Sequence, residues 1–216
     1  MSLPLALLLQ VLSAAPADPG TPPTPPSEKP DPTYGRVDGD IGLVLGVGVT
    51  VGPQSPRASA DLRVRYLETA GLFVTYEDGA PFGNGAEPVR VLAGGLEIRP
   101  LFLGRWLTGR EIGIARLDLA LDSLGFELGG FLAQPQGETF GQRPGLQAGM
   151  ALEIPILAHA SGPWVGFHGG IRFSDTALSG GPTSDPADKA FFLSITLAWH
   201  AIVGAHAVDP FDRAPR

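Results

Sequence analysis

His159-Ala160-Ser161 sets an imidazole two residues from a hydroxyl. With a carboxylate to orient the ring, those groups can form a hydrolytic triad in which histidine takes the serine proton. The pair stands directly before Gly162-Pro163, however, and a serine ahead of Gly-Pro is also an ordinary turn residue. Asp118 and Asp122 are four apart, so they share a face on a helix or the same side of a strand. Paired carboxylates do acid–base chemistry when one is held protonated; with Arg116 close by, a salt-bridged surface is the expected use. His168 and His200 fall on the same side of neighbouring segments, where a metal or a proton-sensitive pair is conceivable and ordinary packing is expected. His159 and His206 complete the four histidines, and Gly83-Asn84-Gly85 and Gly180-Gly181 are loop punctuation. The expectation is no enzyme, no cofactor and no metal. A larger set of charges has another pattern. Asp61, Arg63, Arg65, Glu97, Arg99, Glu127, Glu153 and Arg172 lie mid-segment, with nearly balanced signs, on the less apolar side of alternating stretches.

Those stretches are the elements that must position them. In Ile41 to Val51 every odd residue is aliphatic and the even ones are mostly glycine, a period of two that predicts a β-strand over about Asp40 to Gly52. About Ala58 to Leu67 sets Ala60, Leu62, Val64 and Tyr66 against Asp61, Arg63 and Arg65. About Ala70 to Glu77 sets Leu72, Val74 and Tyr76 against Phe73, Thr75 and Glu77. About Val89 to Phe102 sets Leu92, Leu96, Ile98 and Phe102 against Glu97 and Arg99. Similar strands follow over about Leu124–Ala133, Gly145–Leu157, Trp164–Phe173 and Phe191–Val203. Between the fourth and fifth, Leu103 to Ser123 fits a connector with a short helix or a broken strand, because Leu117 to Asp122 alternates while Leu117, Leu121, Leu124 and Leu128 keep helical spacing.

Connections alternate in length. Glu68-Thr69 and His159–Pro163 are short, whereas the links around Asp78–Gly85, Gln134–Glu138 and Ser174–Asp188 are long and rich in Gly and Pro. The connector before the fifth strand breaks the rule by being long on the short side. The chain before the strands reads differently. Leu3 to Leu12 is an apolar run too short to span a bilayer, and Ala15-x-Ala17 fits a cleavage site, so residues 1–17 are expected to be a signal peptide. Residues 18–35 are a Pro-rich linker, 36–204 the folded part and 205–216 a tail. The 216 residues carry no cysteine and a net charge of −7. The first excludes disulfides, thiolate metal sites and a lipoprotein anchor; the second argues against nucleic acid.

A soluble β-protein buries its aliphatic face, whereas a membrane barrel turns it to lipid and keeps charges inside. Segments of nine to thirteen residues match a tilted crossing of the hydrocarbon. Tyr66, Tyr76, Phe102, Trp106, Phe126, Phe173, Phe191 and Trp199 fall near segment ends, where aromatic girdles sit. The expected fold is all-β, a closed antiparallel up-and-down barrel of about eight transmembrane strands. In pattern, loop alternation and leader the stretch from Asp40 to Val203 resembles the small eight-stranded outer-membrane barrels of Gram-negative bacteria, of the OmpX and OmpA-barrel type. That resemblance implies residence in the outer membrane, outer-membrane lipid as the surrounding partner, and a structural or surface-contact role with an unassigned loop partner. The chain departs from those barrels in running on from its last strand to Arg216 instead of ending on an aromatic residue. Some barrels of this size are lipid A deacylases with a His-x-Ser arrangement, which would point to His159 and Ser161; their place in a turn counts against it. A soluble periplasmic barrel binding a hydrophobic ligand is the other alternative.

Overall fold

The computed structural model describes residues 33–53, 55–82, 87–180 and 188–205, without the side chain of Trp106. The signal peptide, nearly all of the linker, Gly83-Asn84-Gly85, residues 181–187 of the Ser174–Asp188 loop and the tail from His206 lie outside the described residues.

Eight strands follow one another: β1 Ile41–Val51, β2 Pro56–Tyr66, β3 Ala70–Asp78, β4 Arg90–Ile98, β5 Gly125–Gln134, β6 Arg143–Pro155, β7 Gly162–Ser174 and β8 Lys189–Val203. Each pairs antiparallel with the next, and β8 returns to β1, so the sheet closes into a barrel. The registers keep like faces together. Leu45 stands opposite Leu62 on one side and Trp199 on the other, and Glu97 stands opposite Glu127. A period of two in every strand therefore becomes one continuous apolar face and one continuous charged face.

The apolar face is the outer one. Leu45 and Val47 are 66% and 64% exposed, whereas Arg63, Glu97 and Glu153 are each 1% exposed. Glycines on β4 and β5 let the two backbones approach closely. A Cβ on Gly95 would overlap the Leu128 carbonyl and the Gly129 Cα, and one on Gly129 would overlap the Gly94 carbonyl.

The ends of the barrel differ. At one end the strands are joined through Gly52–Ser55, through a single 3-10 turn at Ala80–Phe82, through Pro135–Gln142, and through a short helix at Asp175–Leu178. We call this the loop end. At the other end, β4 does not run on to Phe102 as its alternation suggests. Pro100 cannot donate to the ladder, and the chain turns into helix α1, Leu101–Leu107, and then α2, Ala115–Asp122. The expected connector is thus two helices, and Leu117–Asp122 is helical, not strand. Phe102 is a correction to the outward aromatic set. It is 1% exposed, and the Arg36 guanidinium sits 4.3 Å above its ring. The helices cap the barrel. Leu119 packs with Ala160 and Trp164 against Tyr34 and Ile202. Ser123 Oγ donates to the Glu153 carbonyl at 2.7 Å and accepts the Glu153 N–H at 2.8 Å, stitching the end of α2 to β6. Residues 33–35, read from sequence as the end of the linker, belong to this cap. Tyr34 supplies an aromatic ring to its apolar cluster, and Thr33 and Gly35 are buried.

Candidate functional site

The inward face of the strands carries the charges. Arg63 on β2 donates through Nε and Nη2 to Asp61 at 2.6 and 3.1 Å, and through Nη1 to Glu127 at 2.5 Å and Glu97 at 3.1 Å. Arg65 donates to both oxygens of Glu97 and, at 2.8 Å, to Glu153. Arg99, one residue beyond β4, donates to Glu97 at 2.7 Å and also to Glu153. Three arginines and four carboxylates on β2, β4, β5 and β6 thus form one knot across the lumen. A second knot lies nearer the loop end. Arg172 on β7 holds Glu77 on β3 with two bonds of 3.0 and 2.6 Å and Gln147 at 3.1 Å, and Arg57 donates through Nε to Glu77 at 2.8 Å.

The eight residues singled out from sequence are therefore all buried and all paired inside the barrel, in two groups: Asp61, Arg63, Arg65, Glu97, Arg99, Glu127 and Glu153 in the first, Arg172 in the second. Arg57 and Glu77 were missed as members. Their signal is plain in hindsight, because Arg57 continues the inward series Asp61, Arg63 and Arg65 two by two, and Glu77 does the same from Phe73 and Thr75. With these two, and with Glu68, which lies 3.8 Å from Arg65 and 3.6 Å from Arg99, the described residues place five arginines (57, 63, 65, 99, 172) and six acids (61, 68, 77, 97, 127, 153) in the two knots. The first knot carries three positive charges against five negative, and the second two against one. The column is therefore polarised along its axis. Each ion taken out of water costs several kcal/mol unless paired and hydrogen-bonded, and the bidentate arginines meet that requirement.

The histidines do not form a pair. His168 Nδ1 lies 3.1 Å from both Arg63 Nη2 and Glu127 Oε1, within the first knot. His200 stacks on Trp164 with ring centroids 4.5 Å apart, against the cap. No group of three or more potential metal ligands occurs among the described residues. The centre is filled: a cavity beside Asp61, Glu127 and His168 measures about 10 Å3, room for about one water.

His159 and Ser161 sit in the β6–β7 turn and are not arranged as base and nucleophile. His159 Nδ1 accepts the backbone N–H of Ser161 at 3.1 Å, and Ser161 Oγ accepts the N–H of Ile202 at 3.3 Å. Asp118 and Asp122 do share one face of α2, but Arg116 is exposed and their partners are others. Arg105 on α1 donates to both carboxylates, and Arg36 donates to Asp122. Asp118 also accepts the N–H groups of Ile112 and Gly113, each at 2.9 Å, and the Tyr34 hydroxyl at 3.2 Å. Burial pushes the Asp118 carboxyl up; the two N–H groups, Arg105 and Tyr34 outweigh it and hold it below the usual aspartate range. It is a clamp locked in its charged form, unsuited to accepting a proton near neutrality.

The fold and its interior define a closed eight-stranded antiparallel barrel with a lumen plugged by paired charges and a helical cap. No family model matches this chain, and no match to it is found among the curated proteins.

Proposed function

We propose that this protein is an outer-membrane β-barrel with a structural or surface-contact role, its wall in lipid and its loop end as the contact surface. One observation carries the reading: the strands turn most of their aliphatic residues outwards and their mid-strand ions inwards, and the exposed strand ions Arg90 and Lys189 stand at the loop end. Soluble monomers rarely expose contiguous apolar patches larger than a few hundred Å2, and this one encircles the molecule. The shortest strands, β3 and β4, have nine residues, about 30 Å of chain at roughly 3.3 Å each, enough to cross hydrocarbon at a tilt.

Aromatic placement supports the same reading. Tyr66, Phe126 and Trp199 lie towards the cap end, and Tyr76, Phe173 and Phe191 towards the loop end, all on the outer face. These are two levels suited to the two interfaces. No helix of the described residues is long and apolar enough to cross a membrane, so any crossing falls to the strands. A soluble barrel carrying an apolar ligand in its lumen needs the reverse arrangement of faces. In this reading the cap and both ends of the folded chain face the periplasm, and the filled lumen conducts nothing.

Fractionation tests it. After a carbonate wash the protein is expected in the outer-membrane pellet, and unheated samples are expected to migrate differently from boiled ones on a detergent gel. Recovery in the soluble fraction would refute the lipid-facing wall.

A further inference from the structure

We propose that the loop-end mouth of the barrel binds a small monocarboxylate with an apolar tail. The proposal does not depend on the medium outside the wall. The mouth holds a cleft of about 470 Å3, space open to solvent at its rim included, with about 30 Å3 of room for the centres of water-sized groups. One water needs roughly 10–15 Å3 by the latter measure, so the cleft has room for about two waters, the size of a carboxylate head group.

The walls are of two kinds. Val91, Phe131 and Ala133 form a buried apolar cluster with Ala93, and Phe192 joins them along the cleft. Arg57 and Arg172 supply the inner polar part, and Arg143 and Glu87, 3.8 Å apart, also line the cleft. Arg172 is fully engaged, bonded to Glu77 and Gln147 with its guanidinium 4.3 Å above the Phe192 ring. Arg57 is 2% exposed, and only its Nε is bonded, to Glu77; its Nη1 is buried without a hydrogen-bond partner. Other buried nitrogens in that condition, Arg36 Nη2 and Arg65 Nη1, still lie within 4 Å of a carboxylate, at Glu111 and Glu68. Arg57 has a single acid partner among the described residues, Glu77, and Nε takes that bond.

Charge and shape then select the ligand. Arg57 and Arg172 share Glu77, and Arg143 is matched by Glu87, so the lining residues of the cleft together with Glu77 sum to one positive charge. A monoanion balances it; a dianion over-compensates. A buried guanidinium N–H left unpaired is unfavourable by more than a neutral one, so a carboxylate oxygen gains most at Arg57 Nη1. The apolar cluster beside it favours a hydrocarbon tail, which a bare inorganic anion lacks.

The test is isothermal titration of the refolded full chain, in one detergent or nanodisc preparation, with octanoate, acetate and octanol. Octanoate is expected to saturate at one site, at least about tenfold tighter than either control, and Arg57→Gln is expected to weaken it by about tenfold or more. Equal binding of octanol and octanoate would overturn the anion requirement. Equal binding of acetate and octanoate would overturn the apolar tail. Unchanged octanoate binding in a folded Arg57→Gln protein would overturn the site. Should that variant fail to fold, Ala190→Leu decides, since it narrows the half-buried rim and leaves both arginines in place. Loss of octanoate binding supports the cleft, and full affinity refutes it.

Discussion

Replacing Arg63 with Met tests the idea that the lumen is held by ions that depend on one another. Methionine keeps much of the length and removes the charge. Three carboxylates lose a partner, and they are not equally protected. Glu97 keeps Arg65 and Arg99, whereas Asp61 is left with the Thr75 hydroxyl at 2.8 Å and Glu127 with His168. Breaking a buried ion pair by removing one member costs about 3–5 kcal/mol, and here two acids are left exposed to that penalty, so the upper end is expected. With a urea slope of about 2 kcal/mol per molar, the unfolding midpoint should fall by about 2 M. The assay is urea unfolding of the refolded barrel in a fixed lipid or micelle, followed by tryptophan fluorescence. Adding Glu127→Gln to Arg63→Met restores the parent's charge balance and should return more than about 1 kcal/mol of the loss, a coupling that independent sites do not show. A single variant within about 1 kcal/mol of the parent, or a double variant whose losses simply add, would refute the account of an interdependent knot.

Three further outcomes follow from other parts of the molecule. Leu45→Arg on the outer face should destabilise the barrel by about 2–4 kcal/mol if lipid surrounds it; a change within about 0.5 kcal/mol, as on a watered surface, would count against the membrane reading. Gly129→Val should lower stability by about 1–3 kcal/mol or more through overpacking against β4, measured as loss of the heat-modifiable band at lower temperature, while Gly137→Ala in the β5–β6 loop, where nothing lies within 4 Å of an added Cβ but φ is positive, should have a smaller effect. Because the Asp118 carboxyl is held below its usual range, its contribution is complete above about pH 4 and is lost only as the pH falls through that lowered value. Near-ultraviolet circular dichroism of the cap should therefore stay flat from pH 8 to 5; a transition near pH 6 would contradict the clamp.

The strands were legible because each obeys a local rule that tertiary structure reinforces. Asp61, Arg63 and Arg65 alternate with Leu62 and Val64, and no other element can satisfy that alternation so simply. The inward direction of the charges was legible as an expectation for the same reason. The cap was not. Phe102 fits the period of the preceding strand, and only Pro100 argues against continuing it. The partners of Asp118 and Asp122 come from α1 and from the stretch before β1, and a contact between such distant segments leaves no periodic trace. Arg116 drew attention by being near in sequence, whereas Arg105 is near in space. The mouth was missed for a similar reason, since Arg57, Arg172 and Phe192 come from three different strands.

The seam between β1 and β8 has a consequence for how the molecule is made. Thr50 Oγ1 donates to Ser194 Oγ across 144 residues of chain, and the Ala205 N–H reaches Asp40 across 165. Contacts so far apart in sequence form slowly, because the loop between them must close before they contribute. Until the final strand arrives, β1 and β7 each present an open edge, the kind that recruits foreign strands. Assembly therefore runs a race between self-closure and mispairing, and a chain truncated before Lys189 has no way to finish it.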